Sequence, residues 1–85
     1  MEIIISDIAE EHIAYWNETN NVAVQKRITA LKNAIIVSPY TGIGKPEPLK
    51  YELAGKWSRR IDRKNRFVYS VENDILYIFS LKGHY

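Results

Sequence analysis

Apolar and polar positions in the first half of the chain predict one short strand followed by two helices. Residues 2–5 form the apolar run of the strand. Asp7 then predicts the N-cap of the first helix, with Glu10 three residues later completing a capping-box pattern. This helix is expected to run to about Asn17. Its inward side is expected to carry Ile8, Ile13 and Trp16.

A second helix follows the polar sequence ETNN, where Asn20 or Asn21 can serve as its N-cap. One apolar stripe, with successive spacings of four, three and four residues, identifies the buried side of this helix. The stripe consists of Val24, Ile28, Leu31 and Ile35. The helix is expected to end before Pro39, because the residue preceding a proline avoids helical dihedral angles.

The second half of the chain has the spacing of an antiparallel meander. After a linker at 38–48, strand candidates lie near 49–54, 57–62, 66–71 and 75–82, separated by AGK, RKN and END. With the two helices covering one face of this mostly antiparallel sheet, the pattern predicts an α+β fold. The 85 residues are enough for a single domain, 1–85.

The predicted turns set the register of the strands and therefore the composition of each sheet face. A three-residue END turn pairs Val71 with Ile75, Tyr69 with Tyr77 and Phe67 with Phe79, which predicts an aromatic core face. The same reasoning across RKN pairs Ile61 with Phe67. The opposite face is then predicted to carry Arg60, Arg66, Ser80, Lys82 and His84. A shift of one residue would exchange the two faces.

Composition narrows the class of protein without identifying it. The chain has no cysteine, which excludes disulfides and thiolate metal sites. No apolar run reaches the roughly 18 residues of a membrane span, and the N-terminus lacks the basic start of a signal peptide. These features favour a cytoplasmic protein.

Positive charge is concentrated in the second half of the chain. Residues 1–43 contain three Lys or Arg and five acids, whereas residues 44–85 contain nine and five. Within 45–66, eight basic residues stand against three acids. Such clustering in a nearly neutral protein indicates an anionic partner, although a solvated charged hairpin would have the same composition.

Glu47 lies in the unusual sequence GKPEPLK, between two prolines. Because Lys45 and Glu47 each precede a proline, both are expected to be extended, and the prolines fix their own φ angles. Glu47 is thus either a solvated residue of a rigid linker or, beside a basic sheet face, a general base.

His84 can act as a general acid because its reference pKa of about 6.5 leaves part of the population protonated at neutral pH. The alternative is a frayed chain end. The other histidine, His12, lies among glutamates of the first helix and is expected at the surface.

Phosphate oxygens are the expected ligands of Arg60, Arg66 and Lys50, since Arg offers a planar fork and Lys a point charge. Tyr85, Tyr51 or Tyr69 could stack on a base or contribute a hydroxyl group. Trp57 and Phe67 are expected in the core. The two histidines are far apart in sequence and no pair of acids is predicted to face inward, so no metal site or cofactor is predicted.

This set of residues favours RNA over DNA as a substrate. RNA carries its own nucleophile, the 2′-hydroxyl. A base, cations that stabilise the phosphorane, and an acid for the 5′ oxygen would be sufficient to cleave it.

The sequence GKPEPLKYELAGKWSRRIDRKNRFVYSV, followed by a final HY, resembles the YoeB (Txe) toxins of the RelE-like superfamily of bacterial type II toxin–antitoxin systems. The closest correspondence covers 42–85, and the helical half agrees in length and layout. The resemblance implies an mRNA endonuclease acting in the ribosomal A site, by a metal-free reaction that leaves a 2′,3′-cyclic phosphate.

Matching the motif residue by residue, the resemblance implies that Glu47 is the general base, His84 the general acid and Arg66 the phosphate clamp. Lys50 and Tyr85 match supporting positions, and Arg60 belongs to the WSRRI motif. The implied partners are a YefM/Phd-like antitoxin, the ribosome with its mRNA, and a second copy of the chain in a homodimer. Two other functions stay open: a non-catalytic translation inhibitor that binds rRNA, and a DNA-contacting subunit of a repressor complex.

Overall fold

A computed structural model of the chain describes residues 1–84 as a five-stranded sheet with two helices. The strands are β1 (Glu2–Ile5), β2 (Glu47–Pro48), β3 (Trp57–Arg60), β4 (Arg66–Glu72) and β5 (Ile75–Ser80), and the helices are α1 (Asp7–Glu18) and α2 (Val22–Val37). The strand order is β1-β5-β4-β3-β2. Only β1 and β5 run parallel, so the predicted α+β fold with a mostly antiparallel sheet is confirmed.

Both helices begin at polar caps, but the first cap is one residue earlier than predicted. Ser6, not Asp7, is the N-cap of α1, and its Oγ accepts a hydrogen bond from the Ala9 N–H at 3.1 Å. The Ser6 hydroxyl also donates to the carbonyl of Phe79 at 3.0 Å, which ties the start of α1 to β5. Asn21 caps α2, as one of the two predicted alternatives.

The core lies between the helices and one face of the sheet. Val24, Leu31 and Ile35 are buried and Ile28 is partly buried, which confirms the predicted stripe of α2. In α1, Trp16 is buried but Ile8 is 58% exposed, so its predicted inward position is wrong. Neither helix within residues 1–84 combines the length and apolarity needed to cross a bilayer.

A two-residue turn, rather than the predicted three-residue turn, connects β4 and β5. Asn73 and Asp74 both have positive φ angles, of 51° and 62°, and Glu72 pairs directly with Ile75. Asn and Asp tolerate this left-handed conformation, which suits a tight hairpin. The partners of Val71 and Tyr69 are therefore each shifted by one residue from the predicted ones.

The shifted register moves two aromatic residues out of the predicted core. Tyr69 pairs with Ile78, and Tyr77 lies opposite Ser70 on the outer face of the sheet, the face away from the helices. Phe79 has no partner, because the register slips between Tyr69 and Val68 in a β-bulge. The Phe79 ring lies on the outer face, stacked on Tyr77 at 6.4 Å.

The predicted strand at 49–54 is also wrong. Only Glu47 and Pro48 pair with β3, and residues Tyr51–Leu53 form a single 3₁₀ turn. Tyr51 has a φ of 57°, which is incompatible with a continuing strand. Pro48 lacks an N–H group, which suits a short edge strand.

A buried arginine connects β3 to the linker after α2. Arg59 is fully buried and faces the core opposite Phe67. Its guanidinium donates hydrogen bonds to the carbonyls of three linker residues and to the hydroxyl of Tyr69. The carbonyls belong to Ser38 (2.6 Å), Thr41 (2.9 Å) and Ile43 (3.1 Å).

Side chains of α1 hold the backbone of Leu81, just beyond β5. The Leu81 N–H donates to Nδ1 of His12 at 3.0 Å, and the Leu81 carbonyl accepts from Nε1 of Trp16 at 2.9 Å. His12 and Trp16 are four residues apart and therefore lie on the same side of α1. The prediction that His12 is a surface residue is wrong, because it is partly buried against the end of β5.

The bond to Leu81 requires an unprotonated Nδ1 on His12. Burial lowers the pKa of His12, the nearby ammonium of Lys82 lowers it further, and Glu11 acts in the opposite direction. The folded chain therefore favours the neutral ring that this hydrogen bond needs.

We expect His12→Ala to lower the free energy of unfolding by about 1 kcal/mol at pH 7.5, because it leaves the Leu81 N–H without its acceptor. His12→Asn should recover most of this loss, since Oδ1 of Asn can lie near the position of Nδ1. Urea unfolding of the three proteins measures the difference.

The advantage of the wild type over His12→Ala should shrink as the pH falls below about 6.5. The unfolded chain then takes up a proton that folded His12 resists, so this stabilisation is present above the unfolded pKa and is lost toward the lowered folded value. A difference that stays constant between pH 7.5 and 5.5 would contradict the role assigned to the neutral ring.

Replacing Arg59 by Met should destabilise the fold by about 3 kcal/mol or more, because buried carbonyl groups of the linker lose their donors. The matched control is Arg60→Met in the neighbouring, exposed arginine, for which we expect a change within about 0.5 kcal/mol. Equal denaturation midpoints for the two variants would show that the Arg59 bonds do not hold the linker.

Candidate active site on the outer sheet face

Glu47 belongs to a row of residues that crosses the sheet. It pairs with Ser58, Ser58 pairs with Val68, and Val68 pairs with Ser80. Directly paired residues project from the same face of a sheet, so Glu47 shares the outer face with the other three. Glu47 itself is exposed, at the edge of the sheet.

Backbone bonds on both sides of Glu47 fix this position. The Leu49 N–H donates to the Lys56 carbonyl at 2.9 Å, and the Arg60 N–H donates to the Gly44 carbonyl at 2.7 Å. Gly44 has a φ of 84°, and a Cβ at this position would lie 2.8 Å from Leu31 and 3.1 Å from Arg59. Only glycine fits there, because the linker passes so near to α2 and β3.

The expectation for Lys45 is wrong. Its φ is 52°, in the left-handed region, although it precedes a proline. The turn at 42–45 therefore reverses the chain immediately before Pro46, and only the following Glu47 is extended. Lys50 is exposed and lies at the start of the 3₁₀ turn, after the strand that carries Glu47.

Arg60 and Arg66 are paired directly across β3 and β4 on the same outer face. The prediction that they share a face is confirmed, although the pairing of Ile61 with Phe67 is wrong, since Phe67 pairs with Arg59. The observed register differs from the predicted one by two residues, so each side chain stays on its predicted face of the sheet. Like charges directly opposite each other destabilise a sheet, so this pair favours an anion between or above the two guanidinium groups.

The turn that connects β3 and β4 orients Arg66. Nη1 of Arg66 donates to the carbonyls of Asp62 (3.1 Å) and Asn65 (3.3 Å). The Asp62 carboxylate accepts hydrogen bonds from the backbone of Lys64 and from both nitrogens of Asn65. Burial opposes the charge of Asp62, but these bonds outweigh that effect and leave its pKa lowered.

The same turn holds the segment that precedes His84. The Gly83 N–H donates to Oδ1 of Asn65 at 2.8 Å, and the Gly83 carbonyl accepts from the Arg66 N–H at 3.1 Å. His84 therefore begins directly beside Arg66 rather than on a frayed end. Its side chain is exposed.

The predicted aromatic residues have different surroundings. Tyr51 is 86% exposed, so its ring is available to a ligand. Tyr69 is fully buried, accepts from Arg59 and donates to the Pro39 carbonyl at 2.6 Å. Burial raises the pKa of Tyr69. Because its ring and hydroxyl are enclosed, the predicted role of Tyr69 in stacking on a base or contributing a hydroxyl to RNA is wrong.

The remaining predictions concern two core aromatic residues, Tyr85 and metal binding. Phe67 is fully buried and Trp57 is packed against the core, as expected. Tyr85 lies outside the residues that the structure describes. Among residues 1–84, no group of three or more histidine or acidic side chains is arranged to bind a metal ion.

Sequence analysis did not find the residues that position the site. Arg59 could have been found from strand alternation, because it shares its parity with the partly buried Trp57 and the buried Ile61. No comparable signal marks Asn65, His12 or Trp16, since the side chain of each forms a hydrogen bond with the backbone of a distant segment.

The comparisons with known proteins agree on one family. The model of the YoeB-like toxins of bacterial type II toxin–antitoxin systems matches residues 6–85. The Toxin YoeB of Escherichia coli K12 is 42% identical over 85 residues, with complete coverage of both chains.

Solved structures show the same relationship. The YoeB/ParE toxin from Agrobacterium tumefaciens has a TM-score of 0.96 at 33% identity and covers all of both chains. The Staphylococcus aureus YoeB is known in a YoeB–YefM complex and as a dimer. These two structures have TM-scores of 0.90 at 40% and 38% identity, over 100% of this chain and 98% of theirs.

Family model, full-length identity and fold lead to the same conclusion. This chain belongs to the YoeB-like family and is a toxin of a bacterial type II toxin–antitoxin system.

Proposed function

We propose that this toxin cleaves messenger RNA on the ribosome by metal-independent acid–base catalysis. The observation that carries the proposal is the shared position of Glu47 and Arg66 on the outer face, with His84 beginning beside Arg66 through the bonds of Gly83. These residues supply a base, a cation and an acid, which are the groups that RNA transesterification needs.

In the proposed reaction, the carboxylate of Glu47 accepts the proton of a 2′-hydroxyl. The 2′ oxygen forms a bond to the adjacent phosphorus, and the guanidinium of Arg66 stabilises the charge on the non-bridging oxygens. The bond from phosphorus to the 5′ oxygen breaks as protonated His84 donates its proton to that oxygen. The products are a 2′,3′-cyclic phosphate and a 5′-hydroxyl.

Supporting contacts come from basic residues around this set. Arg60 lies opposite Arg66 and would contact the same phosphate or its neighbour. Exposed Lys50 follows the strand of Glu47 and would attract the RNA backbone as a point charge. We assign Tyr85 a supporting role from its position next to His84 in the sequence.

The relatives support a proposal about partners. The Staphylococcus aureus YoeB forms a complex with YefM and has been solved as a dimer. We propose a YefM-like antitoxin as the inhibitor of this chain and a homodimer as its assembled state. Activity on ribosomes would place the toxin in the cytoplasm.

His84→Gln should reduce single-turnover mRNA cleavage by about 10²–10⁴-fold, the range for a lost general acid, while leaving ribosome binding unchanged. Primer extension on a ribosome-bound message measures the cuts. Wild-type cleavage by this variant would remove His84 from the reaction. Arrested translation without any cut by the wild type would favour the alternative, a non-catalytic inhibitor that binds rRNA.

Arg66→Ala should lower both the cleavage rate and, to a smaller extent, the affinity for RNA, because the guanidinium stabilises charge that is greatest in the transition state. Lys64→Ala is the matched control, as it removes the same charge from an exposed residue of the adjoining turn. If the two variants lose only salt-sensitive affinity, and to the same degree, Arg66 does not contribute to the chemical step.

A further inference from the structure

A cavity of about 380 Å³ lies beside the proposed active site and is lined largely by arginine. Its lining residues are Arg27, Arg60, Ile61, Asp62, Arg63 and Arg66. Two of these arginines, Arg60 and Arg66, belong to the site already described. Arg27 comes from α2 and Arg63 from the β3–β4 turn, and neither has been assigned a function above.

The cavity keeps a net positive charge, because four arginines and a single carboxylate line it. Asp62 is its one carboxylate, and hydrogen bonds from Lys64 and Asn65 already occupy that group. Four guanidinium groups around one opening repel each other, so the cavity favours an anion that enters from solvent.

Arg27 is held toward the cavity before any ligand arrives. Its Nη2 donates to the carbonyl of Arg60 at 3.3 Å, which joins α2 to the end of β3. Nη1 of Arg66 is similarly held by the carbonyls of Asp62 and Asn65. Each bond uses part of a guanidinium that has five N–H groups, so donors are left for a ligand. Prior orientation reduces the entropy lost on binding.

The cavity also lies next to the row of residues that contains Glu47. Arg60 and Arg66 are each two residues along their strands from Ser58 and Val68, a distance of about 7 Å. Arg27 and Arg63 line the same cavity from α2 and from the β3–β4 turn. A strand of RNA whose scissile phosphate is held at Arg66 would therefore carry an adjacent phosphate into the cavity.

We propose that Arg27 and Arg63, with Arg60 and Arg66, form a second phosphodiester site for the RNA backbone. This inference rests on the proposed function for its choice of RNA. Guanidinium groups bind phosphate oxygens through paired hydrogen bonds, and contacts with phosphate do not depend on the base, so the site contributes affinity without sequence preference. The phosphodiester can belong to the message or to ribosomal RNA.

The test compares Arg27→Gln with Lys26→Gln, an identical change of charge at the preceding, exposed position of the same helix. The probe is a 2′-O-methyl RNA oligonucleotide, which lacks the nucleophile and stays intact during the measurement. Its Kd is measured over a range of salt concentrations. Thermal unfolding of both variants ensures that equally folded proteins are compared.

We expect Arg27→Gln to weaken oligonucleotide binding about three- to tenfold at 100 mM salt, and to reduce the slope of log K against log salt by about 0.7, the value for one phosphate of a single strand. Lys26→Gln should leave the slope unchanged, and Arg27→Lys should restore it. Single-turnover cleavage by Arg27→Gln at toxin concentrations below the Kd should fall by the same three- to tenfold, since Arg27 acts on binding.

A second arm uses ribosomes with and without a bound message to identify the source of the phosphate. Weaker binding of Arg27→Gln only when a message is present assigns the site to mRNA, and weaker binding to empty ribosomes assigns it to rRNA. The proposal would be overturned if Arg27→Gln and Lys26→Gln had equal salt slopes with the oligonucleotide and equal affinities for ribosomes. An Arg27→Gln variant that binds RNA and ribosomes like the wild type, and loses affinity only for a YefM-like antitoxin, would also overturn it.

The outcomes also distinguish a failure of the phosphate site from a failure of the proposed cleavage reaction. A wild type that does not cleave, together with a reduced slope for Arg27→Gln, would retain the phosphate site and reject the reaction. A wild type that cleaves, with unchanged slopes, would reject the phosphate site alone.

Discussion

The guanidinium of Arg59 is the interaction on which the arrangement of the site depends. A buried positive charge is costly unless its donors are satisfied, and here carbonyl groups of Ser38, Thr41 and Ile43 satisfy them. The guanidinium and the linker carbonyls depend on each other, because the carbonyls would otherwise lack a buried donor. The linker is thereby fixed before it turns at Gly44 and delivers Glu47 to the edge of β3. A lysine could not reproduce this planar set of donors.

The sequence could predict the features that depend on local patterns. Local sequence patterns predicted the apolar stripe of α2, the cap at Asn21, four of the five strands and the shared face of Arg60 and Arg66. Register could not be predicted as well, because it depends on one turn and one bulge. A two-residue turn at Asn73 moved the partners of β4 by one position, and the bulge at Phe79 returned Ser80 to the outer face.

For the site, too, local patterns were predictable and long-range contacts were not. Residue type and motif indicated Glu47, Arg66 and His84, and strand pairing accounts for the shared face of the first two. What could not be predicted is how His84 is held, since that depends on side-chain bonds to backbone groups. Asn65 binds the N–H of Gly83, a residue 18 positions later, and no periodicity records such a contact. His12 looked like a surface residue for the same reason.

The parallel pairing of β1 with β5 has a consequence for how the chain matures. Ser6, directly after β1, is bonded to the carbonyl of Phe79, 73 residues later. The strand that is synthesised first thus has no partner in the sheet until the last strand has been made, and such long-range contacts form slowly. Its unpaired edge is short, at four residues, which limits aggregation during that interval. The segment that completes the sheet also leads to His84, so a nascent chain can pair its first strand only when the residue proposed as the acid is about to follow.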